Sequence, residues 1–290
     1  MFPQLPKALA ALVVLALREE PLQVPSTVST ACDTYVVSGA PGGFTQRVFV
    51  DFSGVTPGTN VSALLRYLYL VYFVKVETWN RQQTPGQQRT ISTCLYAFKY
   101  TGRGGALNFK VSAHHGSGGV QSAEMATQDH FLYASARTVQ KSSKTPGVVE
   151  GNFFYRNDNQ EIDWEILTST IWSRSDCVLP GIWAVNQGVI PGTSSISKRI
   201  TFTFDPTADF HEYRIDWSPG ATAFYIDGQL KTRFTTNVPS QAGPWVWNTW
   251  SNGDPCWSNG PPTVDSITQI RSIEIFKGWT SMASGNVCNV

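Results

Sequence analysis

Three acidic residues occupy alternate positions in one short segment, at Glu161, Asp163 and Glu165. A period of two is the side-chain period of a β-strand, so the three carboxylates should share one strand face. Ile162 and Trp164 then point to the opposite face, into a core. Because neighbouring like charges resist joint ionisation, at least one carboxyl should hold its proton more tightly than a free carboxyl does.

Unequal carboxyl groups suit glycoside hydrolysis, in which one carboxylate attacks the sugar or activates water and a protonated carboxyl donates to the leaving oxygen. Positions four apart on a flat strand have Cα atoms about 13 Å apart, whereas a retaining pair needs about 5–5.5 Å between its carboxyl groups. Long side chains on a concave strand would close that gap, so the spacing leaves retention and inversion open. A solvated strand face or a calcium-binding patch is the alternative interpretation.

The remainder of the chain predicts the strands that must position these acids. It is 41% hydrophobic and 12% aromatic, with 24 Gly and 17 Pro, a composition that favours many short strands and tight turns. Short apolar or alternating runs, such as 47–52 and 131–136, are separated by Gly, Pro, Asn and Ser. We therefore predict a single all-β sandwich over residues 31–290.

The charge balance excludes one class of partner. Charged residues are 15% of the chain and the formal net charge is +1, so no basic surface for nucleic acid is expected.

The N-terminus predicts export. Lys7 precedes an apolar run from Ala8 to Leu17, so residues 1–30 are interpreted as a secretory signal peptide and short pro-like stretch. An uncleaved anchor is the alternative. Ten apolar residues are too few to span about 30 Å of hydrocarbon, and we expect no stable membrane association after signal removal. The sequon at Asn60 fits an extracellular or cell-wall protein.

Five widely spaced cysteines indicate disulfides rather than a zinc site, since none is in a C-x-x-C pair. We predict that Cys177 pairs with Cys256 and that Cys32 pairs with Cys288, which leaves Cys94 free.

One segment, 62–93, fits this plan poorly and is interpreted as an atypical insertion. It joins the apolar run Leu64–Val76 to a stretch rich in Gln, Arg and Thr. A buried strand followed by a loop is one interpretation, and a mistranslated insertion is another. A transmembrane role is disfavoured, because the run is interrupted by Arg66 and is shorter than a membrane span.

The segment from Glu161 to Glu165 resembles the E-x-D-x-E signature of glycoside hydrolase family 16, the laminarinase and lichenase group. Other segments are similar to that family in order and spacing; they lie at 122–124, 131–133, 147–155, 209–217, 224–228 and 248–253. The resemblance covers about Leu95 to Lys277. It implies a concanavalin A-like jelly roll, that is, a β-sandwich of two antiparallel sheets with a concave substrate groove.

The resemblance also implies roles for matched residues. Glu161 would be the nucleophile, Glu165 the general acid and then base, and Asp163 the residue that orients and tunes the pair, with retention of anomeric configuration. Asn248 would hydrogen-bond a sugar near the cleavage point.

Sugar binding should also use aromatic platforms and polar side chains of the cleft. Trp250 and Trp257 are the expected platforms, and Glu124 and Tyr155 match positions that line the cleft upstream. Core packing is the expected role of Trp164, Trp217 and Trp245, and His211 is expected to be structural.

This chain departs from many lichenase-like relatives at one cleft position. Those relatives have an arginine two residues after the cleft glutamate, where this chain has Ala126, so glucan contacts there should differ.

These expectations describe a secreted, monomeric hydrolase that acts inside β-1,3- or mixed β-1,3/1,4-glucan. No cofactor or metal is needed for the chemistry; relatives can hold a structural calcium ion, but no acidic loop here has a spacing that requires one. Two alternatives stay open: a transglycosylase of the same family that remodels wall glucan or chitin, and a non-catalytic glucan-binding lectin on the same fold.

Overall fold

The structure is a computed structural model that describes residues 32–54, 80–82, 88–90, 105–116 and 120–290. These residues form eighteen β-strands and one turn of 3₁₀ helix at Thr168–Thr170. In chain order the strands are β1 Thr34–Val36, β2 Gly43–Asp51, β3 Asn80–Gln82, β4 Gln88–Thr90, β5 Leu107–Val111, β6 Val120–Gln121, β7 Ala123–Ala126, β8 Ala134–Lys141, β9 Val149–Asn157, β10 Gln160–Leu167, β11 Ile182–Asn186, β12 Ile196–Ile200, β13 His211–Ser218, β14 Ala221–Ile226, β15 Gln229–Phe234, β16 Trp245–Trp250, β17 Ser266–Thr280 and β18 Val287–Asn289.

Two large sheets build the sandwich. Among the described strands, nine form one sheet in the order β15-β14-β13-β8-β17-β2-β1-β18, with β5 also pairing with β17. Six form the other, in the order β12-β11-β10-β9-β16-β7, and every neighbouring pair within it is antiparallel. The predicted all-β sandwich of two sheets is confirmed. The larger sheet departs from a purely antiparallel arrangement at its edge, where β1 and β18 run parallel.

A third, small sheet was not predicted, and several predictions concern residues outside those that the structure describes. Strands β3, β4 and β6 form a separate small sheet, and β3 and β4 fall inside the 62–93 segment. The predicted signal region 1–30, Asn60, Cys94 and the rest of the 62–93 segment lie outside the described residues, so those interpretations stay predictions. No described helix is long and apolar enough to cross a membrane.

The core lies between the two large sheets and is rich in tryptophan. Trp164, Trp217 and Trp245 are fully buried there, as predicted, together with Ile162 and Ile166. Each indole N–H has an acceptor, as buried polar groups require: those of Trp164 and Trp217 donate to backbone carbonyls at 3.2 and 3.0 Å, and that of Trp245 to a side-chain amide oxygen at 2.7 Å. The face of β10 that carries its even-numbered residues therefore anchors the strand in the core.

Both predicted disulfides are present. Cys32–Cys288, with Cα atoms 5.8 Å apart, joins the two ends of the described domain beside the β1–β18 pair. Cys177–Cys256, with Cα atoms 5.3 Å apart, ties the loop after the 3₁₀ helix to the loop after β16.

A buried carboxyl group near the start of β9 links the two sheets. Glu150 is 2% exposed and accepts hydrogen bonds from Gln140 Nε2 at 2.9 Å, the Ser143 backbone N–H at 2.8 Å and Thr268 Oγ1 at 2.6 Å. Gln140 is in β8 and Thr268 is in β17, so the carboxyl group joins one sheet to the other. Burial raises the pKa of Glu150 to about 7, although these donors oppose the rise.

This pKa predicts a pH-dependent contribution to folding stability. Because the folded pKa lies above the unfolded one, the contribution is fully present below about pH 4.5 and is lost as the pH rises through about 7. Glu150→Gln removes the titration, so the difference in unfolding free energy between wild type and variant should change by about 3 kcal/mol between pH 4.5 and pH 8. Denaturant titrations at a series of pH values measure it; parallel pH profiles for the two proteins would contradict the assignment.

Candidate active site

A cleft of about 1270 Å³ lies on the outer face of the six-stranded sheet. All six strands of that sheet contribute side chains to its lining, together with the loop after β16. Every residue that the sequence nominated for the site lines this one cleft: Glu124, Tyr155, Glu161, Asp163, Glu165, Asn248, Trp250 and Trp257. The eight span more than 130 positions of sequence, and the sheet brings them together.

The strand register arranges the cleft floor in rows that run across the strands. One row consists of Trp183 on β11, Glu165 on β10, Gly151 on β9, Asn248 on β16 and Glu124 on β7. The odd-numbered residues of β10 therefore face the cleft while the even-numbered ones face the core, as the alternation predicted.

The neighbouring rows are formed in the same way. The second holds Val185, Asp163, Phe153, Val246 and Ala126. In the third, Glu161 lies opposite Tyr155. The departure at Ala126 thus falls on the cleft floor, at the end of the row that contains Asp163.

Asp163 is the most buried of the three acids, with 4% of its surface exposed, while Glu161 and Glu165 are half-buried. Burial raises the pKa of Asp163 well above its usual range; the charges of Glu161 and Glu165 and a hydrogen bond with Glu161 raise it further. Gln187 Nε2 donates to Asp163 Oδ2 at 3.3 Å and opposes the rise. The ionised form of Asp163 is therefore disfavoured, and a hydrogen bond joins its carboxyl group to that of Glu161.

Glu165 lies against two indole rings. Trp257 Nε1 donates to Glu165 Oε1 at 3.5 Å, and Trp183 is the residue opposite Glu165 on β11. Trp257 is held in its loop because Asp254 Oδ1 accepts the backbone N–H groups of both Cys256 and Trp257 at 2.7 Å. The Cys177–Cys256 disulfide fixes the same turn from the other side.

On its other side Glu165 faces open floor. Gly151 is the next residue in the row, and a Cβ atom there would lie 2.5 Å from Asn248 Oδ1 and 3.2 Å from the Phe153 ring. Asn248 Nδ2 donates to Glu124 Oε2 at 3.1 Å, which links the two polar residues of the row. The glycine therefore keeps clear the space between the acid and Asn248.

The sequence reasoning missed several cleft residues, among them Trp183, Phe153 and Gln187. Trp183 and Gln187 fall on the odd-numbered positions of the 182–187 segment, while Ile182 and Ala184 are buried. That alternation was the available signal, but both faces of β11 carry apolar residues, so the pattern did not reveal which face lines a cleft. His211 lies outside the cleft lining: its Nδ1 is 2.7 Å from Asp227 Oδ2 and its ring stacks on Phe204 at 3.8 Å, which agrees with a structural role.

The described residues contain no group of three or more His, Cys, Asp and Glu side chains with a geometry that would hold a metal ion.

A comparison with known protein families identifies the family of this chain. The model of glycosyl hydrolases family 16 matches residues 80–265, which include the three acids and the cleft floor. The chain belongs to this family. The match begins inside the 62–93 segment, earlier than the predicted Leu95, and ends before the predicted Lys277.

Curated relatives in family 16 include the β-glucanase of Paenibacillus polymyxa, which is 27% identical over 128 residues, 44% of this chain and 52% of the relative. The β-glucanase of Paenibacillus macerans is also 27% identical, over 129 residues that cover 44% of this chain and 52% of the relative. This chain spans about half the length of the curated relatives that it matches.

Solved structures share the fold. The Bacillus licheniformis β-glucanase structure aligns with a TM-score of 0.58 and 18% identity, covering 80% of this chain and 98% of that one. An apo Crh5 transglycosylase aligns with a TM-score of 0.50 and 17% identity, covering 87% of this chain and 88% of the other. At these identities the likeness concerns the jelly-roll fold.

The buried position of Asp163 between two acids predicts an abnormal titration. Its carboxyl carbon in a ¹³C NMR titration should change protonation well above the usual range of an aspartate, because burial and the neighbouring charges disfavour its ionised form. The signal is assigned by its absence in Asp163→Asn. In Glu161→Gln one neighbouring charge is removed, so the Asp163 transition should move to lower pH; an Asp163 signal that titrates like a free aspartate in wild type would contradict the assignment.

Proposed function

We propose that this chain is an endo-acting, retaining β-glucan hydrolase that cleaves β-1,3- or mixed β-1,3/1,4-glucan. The observation that carries the proposal is the arrangement of Glu161, Asp163 and Glu165 on one strand at the floor of a long cleft, in a chain of glycosyl hydrolases family 16. The curated relatives are β-glucanases, which supports glucan as the polymer.

The dimensions of the cleft support cleavage within a chain. Six strands at about 4.8 Å spacing give a floor about 24 Å across, which is several sugar units long. A polysaccharide can therefore lie along the rows with its ends outside the cleft. We further propose that the protein is exported and acts as a monomer; the two disulfides support an oxidising compartment.

In the proposed first step, a Glu161 carboxylate oxygen attacks the anomeric carbon while Glu165 donates its proton to the bridging oxygen. The bond from that carbon to the bridging oxygen breaks, and its electron pair stays with the leaving sugar, which departs as an alcohol. In the second step, water gives its proton to Glu165, its oxygen bonds to the anomeric carbon, and Glu161 leaves as a carboxylate. Two inversions give net retention.

The state of Asp163 supports this division of tasks. Burial raises the pKa of Asp163, which is hydrogen-bonded with Glu161; we propose that Asp163 donates its proton to this hydrogen bond and so stabilises the charge on Glu161 before attack and again when Glu161 leaves. Trp257, which donates to Glu165, and Gly151, which leaves the floor in front of Glu165 open, give the second carboxyl group a different environment. Unequal surroundings are what an acid and a nucleophile on one strand require.

Reducing-end release from laminarin, lichenan and barley β-glucan tests the proposal. Glu161→Gln should reduce the rate to background because no covalent intermediate forms, and Glu165→Gln should reduce it by about 10³-fold because proton donation is lost. Glu212→Gln is the matched control: it makes the same chemical change on β13, outside the cleft lining, and should leave the rate within about twofold of wild type.

The outcomes separate the candidate functions. Activity on at least one polymer that disappears in Glu161→Gln supports the proposal, and the preferred polymer identifies the linkage. A well-folded wild type that binds these glucans without releasing reducing ends would overturn it in favour of a transglycosylase, which forms lengthened products with labelled oligosaccharide acceptors, or of a glucan-binding lectin, which forms none.

A further inference from the structure

Two tryptophans form a continuous aromatic surface on one side of Glu165. The Trp183 and Trp257 rings have centroids 5.5 Å apart and planes inclined by 51°, and both rings are half-buried in the cleft lining. Trp183 faces Glu165 across the β10–β11 pair, and Trp257 donates to the Glu165 carboxyl group. We call these two rings the indole pair.

The indole pair is rigidly supported. Together with Trp250 it packs on a small buried cluster of Val149, Leu167 and Val178. Val178 follows Cys177, and Trp257 follows Cys256, so the disulfide joins the backing of the pair to the pair itself. A platform that is fixed before the ligand arrives loses little conformational freedom on binding.

The two sides of Glu165 differ in chemistry. Beyond Gly151 the row continues with Asn248 and Glu124, which are polar and directional. In the opposite direction the row continues with Trp183 before Arg199 on β12, and Trp257 reaches Glu165 from the loop after β16. The sugar attacked by Glu161 must be oriented closely, so hydrogen-bonding groups suit its side. The sugar that leaves needs only a surface for its apolar face, which an indole provides.

We propose that the indole pair binds the leaving sugar in the first step and a sugar acceptor in the second, and that Trp183 determines how much of the covalent intermediate is transferred to sugar rather than to water. The inference rests on the proposed function, because it assigns a specificity-determining residue to the same reaction. The leaving sugar and the acceptor occupy one position, since transfer is the reverse of the first step.

In the transfer step an acceptor hydroxyl oxygen bonds to the anomeric carbon and gives its proton to Glu165. The bond between that carbon and Glu161 breaks, and Glu161 keeps the electron pair as a carboxylate. The products are a lengthened oligosaccharide and the free enzyme, so no further reactant is needed. Water and acceptor therefore compete for the same intermediate, and the affinity of the indole pair for sugar shifts that competition.

The partition of the intermediate is the measurement that tests Trp183. 4-Nitrophenyl β-laminaribioside is the donor, nitrophenol release counts the intermediates formed, and mass spectrometry of products with increasing laminaritriose gives the ratio of transfer to hydrolysis. Once formed, the intermediate is the same in every variant, so this ratio is independent of any effect on the first step. A general loss of folding would not change it.

Three variants give the expected pattern. Trp183→Ala should lower the ratio by about tenfold, because it removes half of the aromatic surface. Trp183→Phe should lower it less than about threefold, because a ring is kept and Trp183 Nε1 has no hydrogen-bond partner among the described residues. Trp172→Ala is the matched control: Trp172 is 55% exposed, lies outside the cleft lining, and should leave the ratio unchanged.

The failures of the two proposals are distinguishable. A folded wild type that releases neither nitrophenol from the donor nor reducing ends from laminarin, lichenan or barley β-glucan overturns the proposed function. A wild type that releases both but forms no transfer product at high laminaritriose, or a Trp183→Ala variant whose ratio stays within twofold of wild type, overturns the assignment of Trp183 and leaves the hydrolase proposal standing.

Discussion

The crowding of three carboxyl groups on one strand face is the constraint on which this structure depends. Glu161, Asp163 and Glu165 lie on alternate residues of β10, where their charges repel and burial adds to the cost of ionisation. The molecule accommodates them by making them unequal: the middle group is buried, which raises its pKa, and the outer two are half-buried with different neighbours. Most features of the cleft follow from keeping this difference in place.

A strand that carries such a cluster needs a strong anchor on its other face. Ile162, Trp164 and Ile166 supply it, since all three are fully buried between the sheets and the Trp164 indole is hydrogen-bonded to a backbone carbonyl. The antiparallel partners β9 and β11 then fix the register, and the register sets which side chains lie beside each acid. One face of β10 thus packs in the core, and the other face carries the acids of the site.

Both the sheet and the loops supply residues that surround Glu165. The sheet supplies Gly151 and Asn248 on the floor, where a side chain at position 151 would press against Asn248. The loops supply Trp257, held by the Asp254 turn and by the Cys177–Cys256 disulfide. The Cys177–Cys256 disulfide therefore acts on the environment of one of the acids, in addition to restricting the unfolded chain.

Much of this was accessible from the sequence. Alternation on 161–165 determined the shared face of the acids, because a strand has a side-chain period of two whatever its partners are. The same reasoning assigned Ile162 and Trp164 to the core. Residue types that bind sugars identified Trp250 and Trp257 as cleft candidates, the resemblance to family 16 identified Asn248, and the two disulfides were also predicted correctly.

What the tertiary structure decided is adjacency between distant segments. The pairing of Trp183 with Glu165, the place of Gly151 beside Asn248, and the link that Glu150 makes between the sheets all depend on strand order and register. Neither strand order nor register is encoded in a local sequence pattern. A strand with apolar residues on both faces, such as β11, does not indicate which face is covered. The sequence determined which residues could do the chemistry, and the packing of the sheets determined what surrounds each of them.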